Sequence, residues 1–376
     1  MKFFIVIVLF FAGCSQMPVE KTTNIVEQTD PVINEKEILT DADDEAVEEP
    51  SLKTAIGQTI SAYLSEEGFN GAALVAIDGE VILEAGFGWA DKEERIKMPA
   101  DGIFQIASLS KSFAAVSILQ LVEEGYLSLE DTLDRFFPHL DRAEEMTIHH
   151  LLTHSSGLFA PDSVAAFDYS SYKPGQLQFT FTPQIRIFED IGEQTRYSNV
   201  GYDLLGAIVE QISGLAYGEY LKENIFGPLG LEATRLGHPK EAVTAYMGNI
   251  DDLVLAPPLH PAFAFASGGI SSTVGDLFLY IQGLLASETL LTFESFQQMS
   301  SPHQKVGRSY HGYGFFIDAR ATANTISHTG FLHGWHSALV QELDNRATVI
   351  LLSNQGSSEG MEKAFIIANL ILAEEI

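Results

Sequence analysis

The chain has 376 residues, enough for one large domain or two lobes, and 46% of them are apolar, enough for a sizeable core. Its 51 acidic residues against 21 basic ones give a net charge of −30, which excludes a nucleic-acid partner because phosphates need Lys and Arg. Acidity says little more than that about partners, since it acts mainly on solubility.

Met1 to Gly13 reads as a secretion signal: Lys2 supplies the charged start, and Phe3 to Ala12 is apolar but too short to span a bilayer. Cys14 is the only cysteine, so no internal disulfide is possible. The Phe-Ala-Gly-Cys ending resembles a bacterial lipoprotein lipobox, although Phe11 stands where Leu is usual. That likeness implies lipid on Cys14 and a cell-envelope protein, anchored at the outer membrane or facing the periplasm. An ordinary signal peptide implies a secreted protein instead. Residues 14–50 follow with eleven acidic residues, only Lys21 and Lys36 against them, and no aromatic. Such a segment cannot bury enough surface to fold and reads as a disordered tether.

Ser51 to Glu66 has Ile56, Ile60 and Leu64 at a spacing of four, which predicts a first helix. Ala72 to Ile77 and Glu80 to Ala85 are β-prone runs on either side of Asp78-Gly79, a strong hairpin signal. An apolar approach then ends at Ala107, followed by Ser108 and, three residues on, Lys111. Ala115, Ile118, Leu119 and Val122 continue at helical spacing, with no Gly or Pro before Gly125. Ser108 therefore opens a buried helix, with Lys111 one turn later on the same face. A serine hydroxyl is a weak nucleophile until a base takes its proton, and a lysine kept neutral by burial can be that base. Ser170 and Lys173 repeat the S-x-x-K spacing, but Pro174 and Gly175 follow at once, so that copy reads as a solvated loop.

From Glu124 to about Leu255 the sequence reads as helices and loops. They include a helix start at Thr147 to Leu152, an irregular aromatic-rich loop from Asp162 to Phe188, and helices at Gly201 to Ile212 and Tyr217 to Ile225. A helix from Val274 to Leu285 precedes four strands: Tyr313 to Ile317, Thr325 to His328, Ser337 to Glu342 and Ala347 to Ser353. A last helix spans Met361 to Glu374. Strands at both ends with helices between predict an α/β domain of the α+β kind: an antiparallel sheet flanked by helices, with an inserted, mostly helical lobe and a cleft between them.

Two further stretches carry chemistry. Tyr197 and Asn199 sit two apart just before a helix. A phenol near a lysine can shuttle protons, and an amide can both donate to a substrate carbonyl and accept from Lys111. A packed Tyr beside an N-terminal Asn is the plainer reading of those two residues. His328, Thr329, Gly330 and Phe331 lie on or beside a predicted strand. The bare Gly330 lets a substrate backbone lie against the strand edge, and the Phe331 N–H joins that of Ser108 as an oxyanion hole. A simple strand-end turn is the alternative there. The histidine sets His149, His150, His154 and His328, His333, His336 fit no zinc pattern, so no metal or cofactor is expected.

Ser108-x-x-Lys111, Tyr197-Ser198-Asn199 and His328-Thr329-Gly330 together resemble, in order and spacing, the class C β-lactamase-like serine hydrolases. This family includes β-lactamases, DD-peptidases, D-aminopeptidases and carboxylesterases. The segment from His150 to Leu158 resembles the family's HLLTHTSGL, and that from Ala266 to Thr273 its PAGGLYST. The resemblance covers 51–376 and implies the β-lactamase/transpeptidase fold, with the α/β part at about 51–110 and 265–376 and the helical lobe at about 111–264. It implies Ser108 as the acylated nucleophile, Lys111 as its basic partner, Tyr197 as general acid/base and Asn199 as a contact to the acyl amide. It also implies a small-molecule or peptide substrate: a peptidoglycan peptide, a β-lactam or an ester. His328 replaces the usual lysine of Lys-Thr-Gly, which weakens any grip on a drug carboxylate while leaving acyl-enzyme chemistry in place. A catalytically idle module that binds peptidoglycan peptides is the competing expectation.

Overall fold

Ser51 starts the fold by capping helix α1 (Leu52–Glu66), its hydroxyl accepting from the Thr54 N–H at 3.2 Å. The computed structural model describes residues 51–159, 185–248, 254–256, 265–286, 288–320, 323–343, 347–355 and 360–373. The signal, Cys14, the acidic segment and the Ser170/Lys173 pair lie outside those residues.

The predicted hairpin forms as β1 (Gly71–Ile77) and β2 (Glu80–Phe87), with Asp78 and Gly79 both in the left-handed conformation that such a turn needs. Short strand β3 (Phe104–Gln105) leads through a tight 3-10 turn into helix α2 (Ser110–Glu123). The expectation that Ser108 opens this helix holds to within one turn: Ser108 sits in the turn, and regular α-helix begins two residues later. From Ser110 to Leu119 every residue of α2 is buried, so this is a central helix rather than a surface one.

Helices α3 (Ile148–Leu152), α4 (Asn199–Ser213) and α5 (Tyr217–Leu221) follow. The expected continuation of α5 to Ile225 is taken up by a π-helical turn, Lys222–Phe226. Two-residue strand β4 (Arg235–Leu236) and β5 (Ile270–Ser272) join β3 in a small sheet of order β3-β5-β4. Helix α6 (Val274–Leu285) then precedes strands β6 (Gln304–Val306), β7 (Ser309–His311), β8 (Phe316–Arg320), β9 (Ala323–Leu332), β10 (Trp335–Glu342) and β11 (Thr348–Ser353), and helix α7 (Gly360–Ala373).

The main sheet has eight strands in the order β6-β7-β8-β9-β10-β11-β1-β2, each pair antiparallel. The first strand of the fold thus closes against the last one. Alternation along β1 assigns its faces. Ala73, Val75 and Ile77 pack with Ile60 and Leu64 of α1 and Ile367 and Ile371 of α7, while Ala72, Leu74 and Ala76 join the core built on α2. All seven residues of β1 are buried, as expected of a strand covered on both faces. Each fully buried Leu or Ile there contributes about 1.5–3 kcal/mol. Within the α2 core, Phe113 stacks on Tyr280 with ring centroids 3.9 Å apart.

Candidate active site

The site begins with a backbone feature. Ala107 adopts φ +48°, a left-handed conformation that costs a residue with a Cβ on the order of 1 kcal/mol and persists only where its surroundings impose it. Three contacts impose it. The Ile106 N–H donates to the Ile270 carbonyl at 3.0 Å, tying the turn to β5. The Ser337 hydroxyl of β10 donates to the Ile106 carbonyl at 2.6 Å. Gly330 of β9 presses against the same turn, because a Cβ built there lies 2.3 Å from the Ile106 carbonyl oxygen and 2.8 Å from the Ala107 Cβ. The bare α-carbon of Gly330 is therefore needed by the protein's own Ser108 turn, a reason for the glycine beyond the one read from sequence.

Ser108 follows Ala107 and is half-buried. Lys111, on the first turn of α2, is fully buried. Its Nζ donates to Asn199 Oδ1 at 2.8 Å and to the Ser267 carbonyl at 2.6 Å, and stands 3.1 Å from Ser108 Oγ. Burial pulls the lysine down to about 7, against the opposing pull of the Asp203 charge. A neutral amine has two N–H bonds and one lone pair. With both N–H bonds engaged by Asn199 and Ser267, the lone pair is left for the Ser108 proton.

Ser198 caps α4, accepting from the Gly201 N–H at 3.0 Å, and so places Tyr197 just outside the helix and Asn199 at its first position. The Tyr197 ring lies 4.8 Å from Lys111 Nζ. Tyr197 is 38% exposed as a residue, but its hydroxyl hydrogen-bonds Ser108, and burial pushes the phenol up. At neutral pH it is a phenol with a proton to give. Beneath it His154, itself left-handed at φ +58°, stacks at 4.3 Å and accepts from the Ser198 N–H through Nδ1 at 3.0 Å. Tyr202 anchors the floor, donating to the Leu152 carbonyl at 2.7 Å and accepting from the Gly314 N–H at 2.8 Å.

His328 closes the far side of Tyr197, with ring centroids 6.2 Å apart, and its Nδ1 lies 2.6 Å from the Thr329 carbonyl. That contact makes Nδ1 the protonated nitrogen and leaves Nε2 as an acceptor. An unperturbed imidazole titrates near neutrality, but the surroundings of His328 oppose its charged form. Only 4% exposed, with Lys111 nearby, His328 is pushed down to about 3, chiefly by burial. It is an uncharged group in the working range. Strand β9 pairs with β10 along its whole second half, but its pairing with β8 stops at Ser327. The stretch from His328 through Thr329, Gly330 and Phe331 therefore offers one edge to the cleft.

The turn, α2, the start of α4 and β9 thus bring together Ser108, Lys111, Tyr197, Asn199 and His328 from three stretches distant in sequence. Four neighbours were not assigned a role from sequence: His154, Asp203, Ser267 and His311. Asp203 had a visible signal, being the one charge inside the apolar run from Val200 to Val209. His154 and His311 had none, because only folding brings their rings to 4.7 Å. Of the other histidines, His149 bonds the Tyr313 hydroxyl at 2.8 Å, His150 completes the cap of α3, and His336 faces Phe331 across β9 and β10. Among the described residues no three His, Cys, Asp or Glu converge on a metal position.

Comparison with known proteins matches the chain and its fold to known relatives. A family model described as Beta-lactamase matches residues 56–372. Penicillin-binding protein 4* of Bacillus subtilis (strain 168) is 30% identical over 336 residues, spanning 83% of this chain and 74% of its own. An octameric penicillin-binding protein homologue from Pyrococcus abyssi superposes with a TM-score of 0.72 at 28% identity, covering 85% of this chain and 77% of that one. The D-amino acid amidase of Ochrobactrum anthropi SV3, complexed with L-phenylalanine, gives a TM-score of 0.72 at 25% identity over 85% of this chain and 99% of that one.

Proposed function

The chain belongs to the β-lactamase family of serine hydrolases, and we propose that it cleaves an amide or ester through an acyl-enzyme on Ser108, with D-alanyl peptides and related D-amino acid amides as the preferred substrate class. One observation carries the chemistry: both N–H bonds of a neutral Lys111 are spoken for, which leaves its lone pair to Ser108. The Ser108 oxygen attacks the substrate carbonyl as its proton passes to Lys111. The Ser108 and Phe331 N–H groups take the developing oxyanion. Tyr197, kept as a phenol, gives its proton to the leaving nitrogen or oxygen and recovers one from Lys111. Water then repeats the sequence on the acyl-enzyme. Asn199 orients the acyl amide.

The substrate class is supported by the likeness to penicillin-binding proteins and to a D-amino acid amidase, and by the neutral His328 where a fixed cation would favour a drug carboxylate. An idle binding module is disfavoured by the engaged lysine, because a site that only binds has no use for a buried free amine. Labelling with a fluorescent penicillin or fluorophosphonate tests the reading. The wild type should label and the Ser108→Ala variant should not. In a panel of D-Ala-D-Ala peptides, nitrocefin and p-nitrophenyl esters, the D-alanyl amides should turn over best. Absence of labelling in the wild type sinks the enzyme reading, and preference for nitrocefin sinks the substrate class.

We also propose that the enzyme works in the cell envelope, held by lipid on Cys14, with the acidic segment 14–50 as its tether. The support is the Phe-Ala-Gly-Cys sequence and the composition that follows it. A single acyl chain binds membranes only marginally whereas two or more anchor stably, so a multiply acylated Cys14 suffices. Cys14→Ser should move the protein from the membrane fraction to the soluble one; an unchanged distribution rules the anchor out.

A further inference from the structure

Lys111 is linked through the Ser267 backbone to a carboxylate that the proposed mechanism does not use. Asp203 lies on α4 one turn beyond Asn199, so both side chains share the helix face turned toward Lys111. It is fully buried. Its Oδ1 accepts from the Ser267 N–H at 2.9 Å, and the carbonyl of that same residue accepts from Lys111 Nζ at 2.6 Å. The chain of contacts thus runs from Ser108 to Lys111, to the Ser267 backbone, to a buried carboxylate.

A carboxylate deep in an apolar core carries a desolvation cost of several kcal/mol and persists where something opposes that cost. Lys111 supplies an opposing charge for part of the cycle. In the resting base form Lys111 is neutral. Once Ser108 forms its bond to the carbonyl carbon, its proton sits on Lys111, and an ammonium stands in the interior beside that carboxylate. The arrangement has the logic of a buried aspartate that steadies the imidazolium formed in a Ser-His-Asp site.

We propose that Asp203 is a positioning residue for the base: it fixes the Ser267 carbonyl that orients Lys111, and its charge stabilises the ammonium that forms as Ser108 gives up its proton. The only proton transferred in this step passes from Ser108 Oγ to Lys111 Nζ. The other groups facing Lys111 do not compete for this part. Asn199 and the Ser267 carbonyl are uncharged acceptors, Tyr197 and Tyr202 present ring faces, and His154 and His328 are both held neutral by burial.

The inference rests on the assignment of Ser108 as nucleophile, and its test separates the two. The second-order rate of Ser108 labelling by a fluorophosphonate probe is measured against pH in the wild type, Asp203→Asn and Asp203→Ser. Both variants remove the charge while leaving an acceptor for the Ser267 N–H, and the smaller serine serves if the asparagine does not fold. The wild type should show an acid limb near 7, where Lys111 gives up its proton. Without the carboxylate the lysine becomes a weaker base. The limb should move down by about 0.5–1.5 pH units, and the plateau rate should fall about tenfold or more. A limb that stays in place, or moves up, overturns the proposal whatever the plateau does, since a merely structural aspartate would lower the amount of active protein without moving the limb. A wild type that fails to label at all removes the nucleophile assignment instead.

Discussion

At the scale of single residues, the site depends on side chains that are absent or uncharged. Gly330→Ala would place a Cβ 2.3 Å from the Ile106 carbonyl oxygen and 2.8 Å from the Ala107 Cβ, both fixed by the backbone, so the strand or the nucleophile turn must move. Overpacking of this kind costs about 1–3 kcal/mol, and a displacement of about 1 Å at a nucleophile costs about 100-fold in rate. The expected outcome is a modest fall in Tm with a loss in kcat/KM of that order, measured with any ester substrate; wild-type kinetics in a folded variant would remove the close approach from the account. His328 yields a prediction of opposite character. Because it stays uncharged down to about 3, the ratio of kcat/KM for nitrocefin to that for a neutral ester should not change between about pH 6 and 9. Taking the ratio cancels the titration of Lys111, which both reactions share. A ratio that rises below pH ~7 would mean that the imidazole titrates near its ordinary value and reads the substrate carboxylate after all.

At the scale of elements, the start of α4 carries Tyr197, Asn199 and Asp203 together, and the Ser198 cap sets its direction. Ser198→Ala should cost about 1 kcal/mol, as cap deletions do. Thr292 caps the short helix Phe293–Met299 in the same way, accepting from the Ser295 N–H at 3.3 Å, away from the catalytic residues. Thr292→Ala should lower Tm by a similar amount and leave kcat alone, whereas Ser198→Ala should lower both. Equal kinetics in the two variants would show that the cap holds only the helix. These elements also separate what was legible in the sequence from what was not. The β1–β2 hairpin was readable because Asp78-Gly79 is a local signal, and α1 and α2 because their apolar periodicity is local too. Strand β9 was read as ending at His328 but runs to Leu332, since Gly330 weakens strand propensity while the packing of the nucleophile turn requires it. Strand β8 was expected from Tyr313 but begins at Phe316, because Gly314, left-handed at φ +73°, turns the chain against the backbone of Lys111 and Ser112. Strands β6 and β7 went unread; Gln304–Val306 and Ser309–His311 are too short for periodicity to register. The three motifs were legible as residue types at fixed spacing, but the histidine ring stack and the Asp203 tie are long-range contacts that no local pattern encodes.

At the scale of the whole molecule, two opposing responses to acid meet. The chain carries a net charge of −30, and lowering the pH toward its isoelectric point near 4.5 relieves self-repulsion, which alone would stabilise the fold. Against this stand His154, His311 and His328, each no more than 4% exposed and linked through the rings of Tyr197 and Phe316. Burial holds His311 down at about 4 and His328 at about 3, and His154 well below its ordinary value. Their folded values lie below the unfolded value of about 6.5, so the unfolded chain takes up the extra protons as pH falls. The stability they contribute is complete above about 6.5 and is lost progressively toward 4 and then 3. By pH 5 this linkage amounts to about 2 kcal/mol for each of His311 and His328, with His154 adding in the same direction. Surface repulsion is screened over about 8 Å at physiological salt, so the buried imidazoles should win. Thermal unfolding at about 0.15 M salt should therefore show Tm falling by several degrees from pH 7 to 5, before the carboxylates begin to protonate. His311→Gln, which keeps a polar side chain but cannot take up the proton, should flatten the slope without moving its onset. A Tm that rises over this interval would mean that charge relief outweighs the histidines, and an unchanged slope in the variant would place the acid sensitivity elsewhere in the fold.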